Sequence, residues 1–127
     1  MSQQQKPAVG SIVWRDLTVD NAAEIKAFYC DVIGWQASPQ DVDDYQDFNI
    51  IVPANGETVA GICHARGSNA NLPAQWLIYV AVEDADQSAQ RCIALGGAII
   101  DGPRAMGNQR FCVIQDPAGA VMGLISE

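Results

Sequence analysis

A single histidine, His64, stands in this chain of 127 residues, and no cluster of lysine or arginine interrupts its balance of fifteen acidic against seven basic side chains. Any histidine-based acid, base or ligand role must therefore be His64's. A formal charge of −8 argues against nucleic acid and anionic membrane surfaces as partners. The four cysteines, Cys30, Cys63, Cys92 and Cys112, occur singly, without the close pairs of a zinc site. No secretory leader is read at the start of the chain, so reduced thiols in a cytoplasmic protein are expected. No apolar run is long enough to span a bilayer. No Lys-Ser or Lys-Thr follows Gly96-Gly97, which excludes a phosphate loop, and no Ser-His-Asp arrangement can be placed.

What is present is hydrophobic. Apolar residues make up 49% of the chain and charged ones only 17%, which excludes a disordered protein and favours self-association. One domain of this length buries a core without staples.

A shift of 62 residues lays the chain on itself: Trp14 falls on Trp76, Cys30 on Cys92, Gly34 on Gly96 and Gly61 on Gly123. The order of elements repeats as well. Residues 11–19 alternate as a strand, and Asp20 can cap a helix whose face carries Ile25, Phe28, Tyr29, Val32 and Ile33. Gly34 stops it, and strands at 35–38, 47–52 and 58–64 follow, separated by Pro39, Pro53 and Asn55-Gly56. The second half predicts a strand over 75–83 and a helix over 84–95 burying Ala85, Ala89, Cys92 and Ile93. Strands at 98–101, 110–115 and 120–126 complete it. The expected fold is α+β: two tandem βαβββ modules forming a curved mixed sheet around a cup-shaped pocket. Residues 1–10 form a flexible arm, and 11–127 a single domain with modules at 11–66 and 73–127. Each module has one helix for one sheet face, and the uncovered faces are expected to line the cup.

The string Phe28-Tyr29 with Gly34-Trp35, Gly61, Trp76 with Tyr79, Val82 and Asp84, Gly96-Gly97, and Arg110 with Asp116-Pro117 and Gly119-Ala120 resembles the vicinal oxygen chelate superfamily. That group includes glyoxalase I, extradiol dioxygenases, fosfomycin-modifying enzymes and bleomycin-resistance proteins. The resemblance covers residues 11–127 and implies paired βαβββ modules. Its metal-binding members carry His, Gln or Glu on first and last strands. Carried onto this chain, those positions fall at or beside Trp14, Trp76 or Leu77, Gly61 and Gly123, none of which ligates through its side chain. The resemblance therefore implies no metal and no cofactor here.

Several residues remain as candidates, each with a plainer alternative. Trp14 and Trp76 either sandwich a flat ligand from opposite modules or fill the space left by Gly61 and Gly123. Asp16, with Ile78 as its counterpart, points at the cup, where Arg110 is its partner or binds a ligand carboxylate; otherwise both sit in water at strand ends. Alternation from Gly61 sends Cys63 inward and His64 outward to solvent. Cys63 and Cys112 either face the cavity or are small core residues, with nothing positive nearby to activate them. Tyr45 offers a phenol at the rim or packs. The stretch around Met106 and Gly107 is a closing loop or an ordinary hairpin. Asp41, Asp43, Asp44 and Asp47 read as a solvated acidic turn rather than a calcium loop. The expected function is metal-independent binding of a small aromatic or cationic organic molecule by a homodimer. The alternatives are a lyase, isomerase or hydrolase with Asp16 or another pocket carboxylate as base, and an interaction protein with a collapsed pocket.

Overall fold

The structure, a computed structural model, describes residues 6–42 and 44–127. Eight strands and two helices alternate as βαβββ twice. They are β1 (Ile12–Val19), α1 (Ala22–Ile33), β2 (Gln36–Val42), β3 (Tyr45–Ile51) and β4 (Thr58–His64), then β5 (Trp76–Ala81), α2 (Ala85–Ala94), β6 (Ala98–Met106), β7 (Gln109–Gln115) and β8 (Val121–Ser126). The fold is α+β, as the pattern of repeats predicts.

Two compact units make up the chain. The N-terminal unit runs from Trp14 to Trp76; the C-terminal unit gathers Leu77–Glu127 with the residues up to Val13. In the first, strands lie in the order β2-β3-β4-β1, antiparallel except that β4 runs parallel to β1. The second repeats this as β6-β7-β8-β5, with β8 parallel to β5. In that unit Gly10 donates to the Ala81 carbonyl at 2.8 Å and Ala81 donates back to Ser11 at 2.9 Å, which ties down the start of the chain.

One face of each sheet is covered by its helix. Against α1 lie Leu17, Phe48, Ile50, Ala60 and Ile62, with Ala22 from the helix and Ile25, Tyr29, Trp35 and Trp76 around them. Ile50 and Ile62 are fully buried, each contributing about 2–3 kcal/mol of apolar transfer. Against α2 lie Cys112 and Leu124, with Ala89 from the helix and Val80, Ile99 and Ile114 beside them.

Three expectations need correction. Strands β2 and β6 run on past the expected ends at 38 and 101, since Pro39 and Pro103 lie in strands that pair on one side only, where a missing donor costs nothing. On α1 only Ile25 and Tyr29 turn to the core, while Phe28, Val32 and Ile33 are exposed; on α2, Ile93 is exposed too. The N-cap of α1 is Asn21 rather than Asp20, whereas Asp84 caps α2 by accepting from the Gln87 N–H at 3.1 Å.

Candidate functional site

Strand register decides which side chains leave the helix-covered face. In the N-terminal unit Asp16 pairs with Gly61; in the C-terminal unit Tyr79 pairs with Gly123. The structural offset between the first strands is therefore 63 residues, not 62, and Trp14 corresponds to Leu77 while Trp76 corresponds to Val13. A slip of one residue reverses the facing of every side chain on a strand. Trp76 accordingly lies on the helix face, contrary to its expected place opposite Trp14. Its Nε1–H donates to the Tyr29 hydroxyl at 3.2 Å, and its ring packs edge-on against Tyr29 and Trp35. The counterpart of Asp16 is Tyr79, not Ile78.

Gly61 does bring Trp14, Asp16 and Cys63 together on the helix-free face. A Cβ built on Gly61 would meet Asp16 Cβ at 3.5 Å, Trp14 Cζ2 at 3.7 Å and Cys63 Sγ at 3.8 Å. The Oδ1 of Asp16 is sealed from solvent. Burial pushes the Cys63 thiol up to about 12, helped by the negative charges of Asp16 and Asp47 and by a hydrogen bond to Asp47. A thiol so held stays protonated and is no nucleophile at neutral pH.

Asp47 was absent from the sequence-derived site, having been read as part of an acidic turn; Asp43 of that run lies outside the described residues. Alternation along β3 puts Asp47 on the face opposite Phe48 and Ile50, next to Cys63. It also recruits His64. The His64 backbone N–H donates to Asp47 Oδ1 at 2.9 Å, and Nδ1 lies 3.3 Å from the same oxygen. Both side chains are only 17% exposed, so His64 is not on the solvent side as simple alternation predicts. It is the last residue of β4, and Ala65 already turns to donate to Val19. Tyr45, the first residue of β3, packs its ring against His64 in a T-shaped pair at 5.3 Å between centroids. The Arg66 guanidinium stacks over the same ring at 4.3 Å and reaches Asp44 at 3.5 Å.

The C-terminal unit treats its equivalent glycine differently. A Cβ on Gly123 would fall inside the Tyr79 ring, so Tyr79 itself fills the place that Gly61 leaves bare. Cys112 faces α2, its Sγ 3.9 Å from the Ala85 carbonyl, and burial pushes its thiol up to about 11. It shares this facing with Phe48, its repeat equivalent in the core by strand register. Arg110, two residues before Cys112, points the same way and grips Asp86 of α2 through Nη2 at 2.8 Å and Nε at 3.0 Å. Its fork is committed within the unit rather than to Asp16. Met106 ends β6 in a tight hairpin through Gly107, whose φ of +62° suits glycine, and its side chain is exposed. On the face with Gly123, Arg104 binds Asp101 through Nη2 at 3.0 Å and stacks on Phe111 at 4.3 Å, a cation the sequence reading missed.

The profile of the Glyoxalase/Bleomycin resistance protein/Dioxygenase superfamily matches residues 9–123. The chain belongs to this superfamily. It is 30% identical over 117 residues to "Putative glyoxylase CFP32" of Mycobacterium tuberculosis, covering 91% of this chain and 44% of the relative. It is 29% identical over 133 residues to the anthracycline biosynthesis protein DnrV of Streptomyces peucetius, covering 92% and 47%. The chain thus spans less than half the length of the curated relatives it matches. Among solved structures, a superfamily member from Vibrio splendidus 12B01 aligns with a TM-score of 0.59 at 14% identity, over 92% of this chain and all of that one. Methylmalonyl-CoA epimerase from Mycobacterium tuberculosis aligns with a TM-score of 0.53 at 18% identity, over 98% and 92%.

The fold family implies a divalent ion, and the residues present do not suit one. Of the four positions that the resemblance implies for ligands, two are glycines, Gly61 and Gly123, and the others fall at or beside Trp14 and Trp76 or Leu77. Among the described residues no group of three His, Cys, Asp or Glu side chains is placed to hold an ion. No helix among them is long and apolar enough to cross a membrane.

Proposed function

We propose that this chain binds a small organic molecule, aromatic or cationic, on the helix-free face of its N-terminal unit without a metal ion. Gly61 carries the reading. It leaves a patch of bare backbone bordered by an indole, a carboxylate and a thiol within 3.8 Å of where a side chain would begin. Trp14 offers stacking area and Asp16 an acceptor for an oriented polar or positive group. Tyr79 over Gly123 denies the C-terminal unit a similar patch, so Gly123, Met106, Arg110, Cys112 and Trp76 leave the list of contact residues, and Asp47 and His64 join Trp14, Asp16, Tyr45, Gly61 and Cys63. The family's bleomycin-resistance members and a relative named for anthracycline biosynthesis are compatible with an aromatic ligand.

A panel of flat aromatic cations and neutral aromatics, followed by thermal shift and tryptophan emission, tests the reading. Tm should rise with ligand concentration as mass action requires. A panel that moves neither signal at millimolar concentration overturns it.

A second reading, an enzyme using a pocket carboxylate as base, is favoured by the pairing of Asp47 with the only histidine. Asp16→Asn separates the two: turnover lost with binding kept supports the enzyme. Self-association through the exposed Phe28, Val32 and Ile33 of α1 is part of the proposal, and sedimentation of the wild type against Phe28→Glu tests it.

A further inference from the structure

His64 ends β4 beside Asp47, and that contact orients its ring. Asp47 on β3 accepts both from the His64 backbone N–H and, at 3.3 Å, from the Nδ1 side. A carboxylate only accepts, so Nδ1 carries the proton and Nε2 keeps its lone pair. Among the described residues Nε2 has no protein partner, and 17% of the side chain remains open to solvent. The other groups near the ring are Tyr45 of β3, in a T-shaped pair with it, and Arg66, whose guanidinium stacks on Tyr45; Val19 of β1, opposite in register, is uncharged. The Cys63 thiol beside Asp47 is held protonated. Asp47 therefore orients the ring, as the acid of a triad does for its histidine.

We propose that His64 takes a proton from the bound molecule, and that this molecule carries an acidified phenol or enol hydroxyl; the inference rests on the proposed ligand-binding role of this face. In the step, the hydroxyl proton moves to Nε2 and the O–H electron pair stays on oxygen, giving an imidazolium between Asp47 and the phenolate. Competing ligand classes fit less well. An alcohol is too weak an acid for imidazole. A carboxylic acid arrives already ionised and meets Asp47 and Asp16 as like charges. An ammonium group places a second cation against the ring. A phenol acidified by an electron-withdrawing group, or an enol stabilised by conjugation, comes within reach of imidazole in acidity and offers an aromatic or conjugated plane to Trp14 and Tyr45.

The probe is 4-nitrophenol, whose phenolate absorbs visible light, with nitrobenzene as the same shape lacking the hydroxyl. One pH unit below its own ionisation the free phenol is about one-tenth phenolate. Bound to the wild type it should be more than half phenolate, about a fivefold rise. In His64→Gln the bound 4-nitrophenol should lose the phenolate band, and in Asp47→Asn the band should weaken. A bound probe with the spectrum of neutral phenol overturns the inference, as does a phenolate band surviving in His64→Gln. Nitrobenzene binding while 4-nitrophenol binds only as the phenol leaves the ligand-binding role standing and removes this step alone. Binding of neither compound overturns both.

Discussion

The ring of Tyr79 occupies the space that a side chain on Gly123 would need. In the other repeat Asp16 stands opposite Gly61 at the same register and leaves room for a methyl group. The duplication thus produces two glycines of opposite meaning, one covered by an aromatic ring and one bare.

This difference is measurable as stability. Gly123→Ala must displace a buried tyrosine and should cost about 1–3 kcal/mol, typical of overpacking. Gly61→Ala meets only ordinary contacts of 3.5–3.8 Å and should change stability by less than about 0.5 kcal/mol. Denaturant midpoints at constant m-value decide the point; equal losses would contradict the assignment of the two faces.

Trp76 belongs to the core and not to the site. Trp76→Phe removes the Nε1–H bond to Tyr29 and should cost about 1 kcal/mol, while Trp76→Ala empties part of the cluster with Tyr29 and Trp35 and should cost about 3 kcal/mol. Neither variant, once folded, should change ligand affinity, as read by calorimetric titration.

The raised thiols give stability an alkaline limit. Folding lifts Cys63 from 9.0 to about 12 and Cys112 from 9.0 to about 11, so the unfolded chain loses these protons first. Their stabilisation is complete below pH 9 and is lost as pH climbs toward the folded values. Unfolding midpoints of the wild type should fall between pH 9 and 11, and Cys63→Ala should fall less steeply. Parallel curves would contradict the buried, carboxylate-flanked placement of Cys63.

Arg110 serves Asp86 alone. The hydrogen bond from Arg110 is the main cause that holds Asp86 below 3.8, so its contribution exists above that pH and disappears as pH falls through the lowered value. Arg110→Gln should return the Asp86 carboxyl toward its ordinary value in an NMR titration and leave ligand affinity unchanged. A fall in affinity would restore Arg110 to the site.

Order of elements was legible in this sequence because punctuation is local: Gly34, Asn55-Gly56 and Asp84 act within a few residues of themselves. The Trp14, Asp16, Gly61 and Cys63 grouping was legible for a similar reason, since alternation holds along a regular strand. Trp76 was misplaced because matching tryptophans suggested an offset of 62, while the ladder between β5 and β8 uses 63. The alternation of Leu77, Tyr79 and Ala81 carried the correct phase and would have found Tyr79. His64 escaped because alternation stops where β4 ends, and Asp47 because its partners are 16 and 17 residues away in sequence.

The most direct measurement is a titration of tryptophan emission with a flat aromatic ligand from the panel, in the wild type, Trp14→Phe, Trp76→Phe and Gly61→Val. The account predicts saturable quenching that survives Trp76→Phe, disappears in Trp14→Phe, and needs at least about tenfold more ligand in Gly61→Val. Quenching that survives Trp14→Phe and disappears in Trp76→Phe would place the ligand on the helix-covered side and contradict it.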